Sequence, residues 1–529
     1  MSNHEAAPGK NINLTIDGIA LTVPLGTKIL EAARIAGVRI PTLCDHPDLR
    51  KQALCRICVV ECDGRGKLFA ACANDVWEGV SVVTNNQRLR TIRKTIVELL
   101  LANHPRDCLG CPRGGKCELQ TLAGLYHNES SGTGKQLFPA DANPAGHRIP
   151  ITRTPAENTA LGEKSPLIRD MGKCIKCGRC VTVCQEVQAV GAINTSYRSI
   201  AYEITTPYEQ ALEDGPCVYC GQCAVVCPTG AIIANEQTEQ AWIAHNNSSQ
   251  YAESAHTRLA PYVTQITDSV VKAMDFEFGL APGTVTKGKM VSALKQLGFD
   301  KVFDADVTVS QCIREESSEL LGRMESNSLL PMIVSCSASL GLFIKTFYPD
   351  LHDRLSVCRS PEQNFGIKVK AWYHKDSMVP SPVQYISIMP CIAKKIEAWE
   401  CADCKRNADM ALTVRELSTM FHQACIDFSN MPENPFDNMN ENIDSLNVTG
   451  AGNNAETVLA AVYEACIKET PSGISEIELH AGGKTIKALT VNGLANARII
   501  LDSIRRGECT AALVHIMCCP LGHSSLQRS

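Results

Sequence analysis

Two stretches of this chain repeat one four-cysteine spacing, and that spacing limits the possible folds more than any other feature. They read CIKCGRCVTVC and CVYCGQCAVVCP, so each follows Cys-x2-Cys-x2-Cys-x3-Cys, and a proline follows the second run. In iron–sulfur proteins with this signature, the fourth cysteine of each run ligates the cluster of the other run. The repeat therefore predicts two [4Fe–4S] cubes with crossed ligation. The predicted ligand sets are Cys174, Cys177, Cys180 and Cys227 for one cube, and Cys217, Cys220, Cys223 and Cys184 for the other.

The number of cysteines, 27 in 529 residues, raises the question of the compartment in which the chain works. Secreted proteins use many cysteines as disulfides, but the polar start MSNHEAAPGK lacks the apolar stretch of a signal peptide. No run of the sequence is long and apolar enough to span a bilayer. We therefore expect a soluble, cytoplasmic protein whose cysteines bind metal. The formal net charge of -5 gives no indication of a nucleic-acid partner.

The first segment, INLTIDGIALTVPLGTKILEAARIAG, predicts a hairpin followed by a helix. Apolar residues alternate in Ile12–Ile16 and Ile19–Val23, and the Asp-Gly pair between them predicts the turn. Thr27 is the expected N-cap of the helix, and Gly37 is expected to end it.

Four cysteines follow this helix, one pair of them close in sequence. Four thiolates in a loop suit a [2Fe–2S] cluster, although the first two ligands stand farther apart than in the plant-type pattern. Four buried thiols without metal are the alternative. The candidates are Cys44, Cys55, Cys58 and Cys72, and Cys62 falls outside the pattern.

A further metal-binding motif stands in HPRDCLGCPRGGKC. Three thiolates and one imidazole suit either zinc or a [4Fe–4S] cluster, and the spacing alone does not decide between them. The position of the motif between other iron–sulfur motifs favours iron. The candidate ligands are His104, Cys108, Cys111 and Cys117. Residues 125–165, which come next, are rich in Gly, Pro, Asn and Ser and are predicted to be a long connecting loop.

This order of motifs resembles two known families over about residues 10–235. One is the N-terminal part of the largest soluble subunit of bacterial complex I, and the other is the accessory region of large [FeFe]-hydrogenases. In both families the motif that corresponds to His104 holds a [4Fe–4S] cluster. From about Arg258 nearly to the end, only the second family matches. LSVCRSPEQNFG, SIMPCIAKKIEA and NGLANARIILDSIRRGE are similar to its catalytic domain.

The resemblance implies a multidomain α+β architecture. The implied segments are a β-grasp [2Fe–2S] ferredoxin domain over residues 10–88, a [4Fe–4S] domain with one His and three Cys ligands over 89–128, a connecting loop over 129–165, a two-cluster ferredoxin-like domain over 166–240 and a hydrogenase-like domain over 258–529. In the family, this last domain has two α/β lobes with parallel sheets that face each other across a buried site.

In [FeFe]-hydrogenases the buried site holds the H-cluster, a [4Fe–4S] cube on four cysteines, one of which also bridges to a diiron unit. The loop MPCIAKK matches the family pattern, so Cys391 corresponds to a ligand. Lys394 falls on the lysine that hydrogen-bonds a cyanide of the diiron unit. A second loop departs from the pattern, because Cys336 falls on the proton-relay cysteine and Ser337 falls on a ligand.

The last loop, MCCPLGHSS, departs further from the family. Cys519 corresponds to a ligand, but His523 occupies the position of the bridging cysteine, and the glycine-rich turn is absent. A thiolate has enough lone pairs to bridge two irons, whereas a neutral imidazole nitrogen binds one metal. We therefore expect no diiron unit. A cube held by Cys336, Cys391, Cys519 and His523 is one outcome, and an empty cavity is the other.

Some remaining positions have no assigned role. Glu316, Ser356 and Glu319 fall, with Cys336, on the proton route of the hydrogenases. An insertion loosens that alignment, and inherited remnants or helix-surface charges are the preferred interpretation. Cys401 and Cys404 are interpreted as a redox pair, half of an extra cluster or unremarkable thiols, and Cys312 could join them.

The preferred functional hypothesis is an electron-transfer subunit of a multisubunit, electron-bifurcating NAD(H)- and ferredoxin-linked oxidoreductase of anaerobes. The resemblance implies as partners a flavin subunit that binds NAD(H), a small [2Fe–2S] subunit, ferredoxin, and a hydrogenase or formate dehydrogenase subunit. An active [FeFe]-hydrogenase is the first alternative, and the histidine at the bridging position argues against it. A redox or hydrogen sensor is the second alternative, and it would require a signalling domain that the sequence does not show.

Overall fold

The structure, a computed structural model, describes residues 11–64, 66–126, 165–248, 260–326, 328–335, 337–376, 383–399, 408–438, 473–481 and 484–519. Four of the candidate residues lie outside the described residues, namely Cys336, Cys401, Cys404 and His523. The connecting loop predicted for residues 129–165 also lies outside them, except for its last residue. In the described part of the chain, no helix combines the length and the apolarity needed to cross a bilayer.

The N-terminal segment forms a five-stranded sheet in the order β2-β1-β5-β3-β4. Its elements are β1 Asn11–Ile16, β2 Ile19–Pro24, helix α1 Ile29–Ile35, β3 Val59–Cys62, β4 Leu68–Ala70 and β5 Ser81–Val83. The predicted hairpin is confirmed, because β1 and β2 pair antiparallel. Asp17 and Gly18 in its turn have φ values of 49° and 83°. Two-residue hairpin turns with positive φ match the twist of the strands and favour Asp-Gly.

The two ends of α1 test the helix signals separately. The predicted N-cap is wrong, because the helix begins after Lys28 and no side chain caps it. The Thr27 hydroxyl instead donates to the carbonyl of Pro24 at 2.7 Å. The predicted end is confirmed, since Gly37 has a φ of 73° and its N–H donates to the carbonyl of Arg34 at 3.0 Å.

Two helices follow, α2 Gln87–Ala102 and α3 Glu118–Tyr126, and the loop between them contains the motif of His104. Asn86 caps α2, because its side chain accepts a bond from the N–H of Leu89 at 2.8 Å. Val97 of α2 and Leu119 of α3 share one apolar cluster with residues of the first segment. The loop with the His104 motif is therefore held against the N-terminal sheet domain.

Residues 165–248 contain two copies of one cysteine-loop geometry. Within each run, the residue before the second cysteine and the glycine after it both have positive φ, at Lys176 and Gly178 and again at Tyr219 and Gly221. The elements are β6 Leu167–Arg169, α4 Arg179–Thr182 continued by a π-helical turn Val183–Val187, β7 Asn194–Ser196, β8 Glu203–Thr205, α5 Gln222–Val226, β9 Ile232–Ala234 and α6 Thr238–Ser248. The strands pair antiparallel, β6 with β9 and β7 with β8.

The described residues from position 260 onwards form two four-stranded sheets, in the orders β11-β10-β13-β14 and β12-β17-β16-β15. The strands are β10 Tyr262–Ile266, β11 Lys301–Asp304, β12 Met332–Val334, β13 Gln384–Met389, β14 Met410–Thr413, β15 Ile474–Ala481, β16 Lys484–Asn492 and β17 Leu513–Met517. The helices are α7 Asp268–Glu277, α8 Lys287–Leu297, α9 Asp306–Glu325, α10 Ala338–Phe347, α11 Pro361–Asp376, α12 Lys394–Trp399, α13 Val414–Gln423 and α14 Leu494–Arg505.

The expectation of two parallel sheets is correct for the first sheet and wrong for the edge of the second. All pairs in the first sheet are parallel. In the second, β12, β17 and β16 are parallel, but β15 pairs antiparallel with β16. The physical reason is the short connection between Ala481 and Lys484, which can join only antiparallel neighbours.

Candidate iron–sulfur sites

The loop that follows α1 brings the four predicted [2Fe–2S] ligands together. The N–H of Cys55 donates to the Sγ of Cys44 at 3.5 Å. The thiols of Cys58 and Cys72 are also 3.5 Å apart. Hydrogen bonds with Cys55 and Cys72 lower the pKa of Cys44, and the bonds with Cys44 raise the pKa of Cys55 and of Cys72, because these neighbouring thiols share protons. Cys62 is buried in the apolar core of the same domain, where burial raises its pKa to about 11.

The His104 site lies between α2 and α3. The Nδ1 of His104 is buried and has no hydrogen-bond partner among the described residues. Burial lowers the pKa of His104, and the charge of Lys173 adds to the effect, so the imidazole is neutral at neutral pH. A neutral ring with a buried, unbonded nitrogen has the lone pair that a metal ligand requires. The structure therefore fits a metal or cluster at this position.

The cysteines of this site face a turn in residues 165–248, the segment that contains the two cysteine runs and is called the two-cluster segment below. The thiol of Cys117 donates to the carbonyl of Pro228 at 3.6 Å. A Cβ added to Gly230 would lie 2.9 Å from the Sγ of Cys111. The charges of Cys111 and Cys108 both act on the pKa of Cys117, which is raised mainly by burial. Cys117 therefore lies beside Pro228 and Cys111 beside Gly230, and Cys108 lies close enough to Cys117 to act on its pKa.

A cavity in the two-cluster segment is lined by one complete predicted ligand set. Its cysteines are Cys174, Cys177, Cys180 and Cys227, and its other lining residues are largely apolar. Three of these thiols come from the first run and one from the second, as crossed ligation requires. No three His, Cys, Asp or Glu side chains in the described part of the chain converge as the ligands of one ion do. The four thiols instead line one space, and that arrangement fits a cluster.

The second predicted set, Cys217, Cys220, Cys223 and Cys184, has the same local geometry. The N–H of Tyr219 donates to the Sγ of Cys217 at 3.4 Å, and the N–H of Lys176 does the same to Cys174 at 3.4 Å. Burial raises the pKa of Cys220, and the charges of Cys184 and Cys217 raise it further. The thiol of Cys184 therefore lies close to the run of the other motif.

This second set lies against the C-terminal domain. Val190 and Val218, which flank these cysteines, belong to one apolar cluster with residues of β17, α10 and α14. The side chain of Gln188 donates to the carbonyl of Cys518 at 3.0 Å and accepts from the N–H of Leu494 at 3.2 Å. The Nε2 of Gln222 donates to the Sγ of Cys519 at 3.9 Å.

The hydrogenase-like site retains part of its predicted ligand set. Cys391 and Cys519 are in hydrogen-bond contact, and that bond lowers the pKa of Cys391 to about 7. Ser337 lies before α10, and its hydroxyl is buried without a hydrogen-bond partner among the described residues. The other two members of the proposed set, Cys336 and His523, lie outside the described residues. The structure therefore brings together Cys391 and Cys519.

Lys394 has carboxylate partners beside this site. Its Nζ lies 2.7 Å from the Oε2 of Glu362 and 3.6 Å from the Oε2 of Glu397. The hydroxyl of Ser360 donates to Glu397 at 2.7 Å. Both glutamates and the lysine are largely removed from solvent, so these charges compensate one another in the interior.

The interpretation of Glu316 and Glu319 as helix-surface charges is wrong. Glu316 is only 6% exposed. Glu319 accepts a bond from the hydroxyl of Ser356 at 2.7 Å and forms an ion pair with Arg323 at 2.6 Å. Both glutamates belong to α9 and lie on or beside the face of this helix that packs against α11 and β12. Cys312 of the same helix is 2% exposed and accepts a bond from Asn364 at 3.2 Å.

Sequence reasoning missed several residues that connect the sites. Arg179 donates to the Asp45 carbonyl at 2.7 Å and forms an ion pair with Glu118 at 2.6 Å. Gln188 and Gln222 are two more, and both contact the C-terminal domain. Their proximity to candidate ligands in sequence was the available signal, but it does not reveal their partners.

Together, the fold and these sites define a multidomain iron–sulfur protein with a hydrogenase-like C-terminal domain. The family described as "Iron only hydrogenase large subunit, C-terminal domain" matches residues 260–522. A 2Fe-2S iron-sulfur cluster binding domain matches residues 9–87, and a 4Fe-4S dicluster domain matches residues 173–231. The NADH-ubiquinone oxidoreductase-G iron-sulfur binding region matches residues 93–131.

Curated relatives support the same assignment along nearly the whole chain. NADP-reducing hydrogenase subunit HndD of Solidesulfovibrio fructosivorans is 34% identical over 97% of this chain and 87% of its own length. Iron hydrogenase 1 of Clostridium pasteurianum is 29% identical over 96% of this chain and 86% of its own length. The mitochondrial NADH-ubiquinone oxidoreductase 78 kDa subunit of Candida albicans is 34% identical over 38% of this chain and 25% of its own length. The chain belongs to the iron-only hydrogenase large-subunit family, and both predicted resemblances are confirmed.

Proposed function

We propose that this chain is the iron–sulfur electron-transfer subunit of a multisubunit oxidoreductase that is linked to a nicotinamide cofactor and to ferredoxin, with electron bifurcation as its mode of coupling. Its N-terminal part holds one [2Fe–2S] and three [4Fe–4S] clusters on the ligand sets predicted from sequence. The hydrogenase-like domain has lost its diiron unit. We also propose that the domains have the boundaries that the resemblance implies and that the first domain has a β-grasp fold.

The observation that carries this proposal is a continuous series of contacts between the candidate sites. The residues next to Cys44 and Cys117 contact the segment that contains Cys177 and Cys227. The second cysteine run then reaches the C-terminal domain. Gly221 lies against Ile392, with an added Cβ 3.0 Å from the Cβ of Ile392, and Gln222 contacts Cys519. A series of adjacent sites from one end of the chain to the other is what electron transfer requires.

Iron–sulfur clusters, when bound, supply one-electron donors and acceptors whose potentials respond to charge, hydrogen bonds and solvent exposure. The chain controls those properties. Backbone N–H groups donate to Cys174 and Cys217, and largely apolar side chains line the cavity of the first cube. These residues hold the sulfurs in place and keep the sites dry.

Two ligand positions support the loss of the diiron unit, and Lys394 is an ion-paired lysine 2.7 Å from Glu362 and near Glu397. Serine at position 337 and histidine at position 523 replace two thiolates of the family set. We propose that a cube held by Cys336, Cys391, Cys519 and His523 remains. The competing outcome is an empty cavity.

The partners belong to the proposal as well. The relatives include a subunit named for NADP reduction and hydrogenase activity and a subunit of an NADH-ubiquinone oxidoreductase. We propose a flavin subunit that binds NAD(H), a small [2Fe–2S] subunit and ferredoxin as partners, with hydrogen or formate chemistry on a separate hydrogenase or formate dehydrogenase subunit.

Anaerobic iron and sulfide analysis together with infrared spectroscopy tests the function. The purified, matured full-length chain should contain about fourteen irons from the N-terminal sites, and about eighteen if the fifth cluster is present. It should evolve no hydrogen and show no bands from iron-bound CO or cyanide. Such bands together with hydrogen turnover would refute the electron-transfer proposal and restore the active hydrogenase. Stoichiometric zinc would refute iron at His104.

A further inference from the structure

Arg179 is the one arginine within the two cysteine runs, and it lies between Cys177 and Cys180. Its guanidinium group reaches three segments of the chain. It donates to the carbonyl of Asp45 at 2.7 Å, to both carboxylate oxygens of Glu118 at 2.6 Å and 2.8 Å, and to the carbonyl of Val226 at 3.3 Å.

Each of these partners is the sequence neighbour of a candidate ligand. Asp45 follows Cys44, Glu118 follows Cys117, and Val226 precedes Cys227. Two of the bonds go to backbone carbonyls, so they restrain the main chain beside the ligand. A single side chain therefore connects the ligand loops of the [2Fe–2S] site, the His104 site and the first cube.

We propose that Arg179 is a positioning residue that fixes the relative placement and the charge of these three sites, and thereby sets the potential of the first cube. This inference rests on the electron-transfer function proposed above. The positive charge of Arg179 then acts at the place where the [2Fe–2S] site and the His104 site approach the cube of Cys174, Cys177, Cys180 and Cys227.

The surroundings of the guanidinium group favour arginine and no other residue. Its side chain is 4% exposed, whereas Glu118 is 44% exposed. A buried cation requires hydrogen bonds to most of its N–H groups, and the planar fork of arginine supplies a bidentate pair with Glu118 and two more bonds in fixed directions. Lysine would keep the charge but could not form the same set of bonds.

Arg179 contacts Asp45 only through its backbone carbonyl, and the carboxylate of Asp45 has other partners. The Asp45 carboxylate is engaged by Lys51 at 3.0 Å and by Arg34 at 3.4 Å. Arg179 therefore adds no ion pair to Asp45 and binds only its main chain. The glycine before Arg179 allows this approach, since an added Cβ on Gly178 would lie 3.3 Å from atoms of Gln52 and Leu54.

The structure also offers a matched control, Arg50. It forms an ion pair with Glu186 at 2.9 Å, so it also joins the loop between Cys44 and Cys55 to the segment of the first cysteine run. Its side chain, however, is 70% exposed. A charge in the interior acts more strongly on its neighbours than one at the surface, where water and salt screen it. If Arg179 only joined two segments, replacing Arg179 and replacing Arg50 would have the same effect on the first cube.

The test is a redox titration of the full-length, cluster-loaded chain followed by electron paramagnetic resonance. The signal of the first cube is identified as the component that Cys174→Ser removes. Arg179→Met should lower the midpoint potential of this component and reduce its broadening by neighbouring reduced sites. Arg179→Lys should restore the potential but not the broadening. Glu118→Gln should shift the potential upwards, because it removes the counter-charge. Arg50→Met should change neither quantity.

Unchanged potential and line shape in Arg179→Met, at full iron content, would overturn the inference. If Arg179→Met loses the cube, Glu118→Gln decides, and no upward shift in that variant refutes the role of the charge. These outcomes leave the electron-transfer proposal standing, because that proposal depends on cluster content and absent hydrogen turnover in the parent chain. A parent chain with CO and cyanide bands would refute the function itself.

Discussion

Replacing Gly230 by alanine tests whether Cys111 is a cluster ligand. The added methyl group would lie 2.9 Å from the Sγ of Cys111, 3.4 Å from a side-chain carbon of Lys173 and 3.8 Å from the Cβ of Arg113. Ordinary contact begins at 3.4 Å, so the Cys111 thiol must move by about half an ångström. Overpacking of this kind costs about 1–3 kcal/mol when the neighbours cannot give way.

A ligand thiolate cannot rotate away from the methyl group without leaving the metal, whereas a free thiol can. Gly230→Ala should therefore destabilise the His104 site selectively. We expect the loss of about four irons per chain and of one [4Fe–4S] component in the electron paramagnetic resonance spectrum. The assay is iron and acid-labile sulfide analysis of the full-length chain after anaerobic reconstitution.

Gly124→Ala is the matched control, because Gly124 lies in α3 and an added Cβ there meets no atom within 4 Å. Alanine in place of an exposed helical glycine should stabilise α3 by about 1 kcal/mol and leave the iron content unchanged. A Gly230→Ala chain that retains the iron content and the spectrum of the parent would refute the assignment of Cys111.

Other substitutions test the crossed ligation, the hydrogenase-like site and a buried ion pair. Cys184→Ala and Cys227→Ala should each damage the cube whose other ligands lie in the opposite run, and a run that closes its own cube would contradict crossed ligation. His523→Cys should remain inactive in a hydrogen-evolution assay and show no infrared bands from CO or cyanide, because another ligand position still lacks its thiolate; turnover by this variant would refute the reasoning. Lys395→Met should cost about 3–5 kcal/mol in denaturant unfolding, because it leaves the buried carboxylate of Glu416, 2.6 Å away, uncompensated. Adding Glu416→Gln should recover most of that loss, and a single variant as stable as the parent would show that the pair contributes little.

Features that depend on neighbouring residues were predictable from the sequence. The hairpin of β1 and β2 follows from alternating apolar residues and an Asp-Gly turn, and both signals act within a few bonds. The cysteine runs behave in the same way, because their spacing and their glycines at positive φ determine where the thiols of one run can point. The predicted N-cap of α1 is wrong by one residue, because the helix begins after Lys28 and the Thr27 hydroxyl donates to the carbonyl of Pro24 while accepting no bond from the first turn.

The tertiary structure decided which sites touch and which charges are compensated. Arg179 binds Asp45 and Glu118 across 134 and 61 residues of sequence, and the spacing of the cysteines contains no information about these partners. The burial of Glu316 and Glu319 and the pairing of Lys394 with Glu362 also arise from the packing of separate helices. Local spacing determined the candidate ligands of this protein, but contacts between distant segments determined their order in space, because chain separation does not constrain which surfaces pack together.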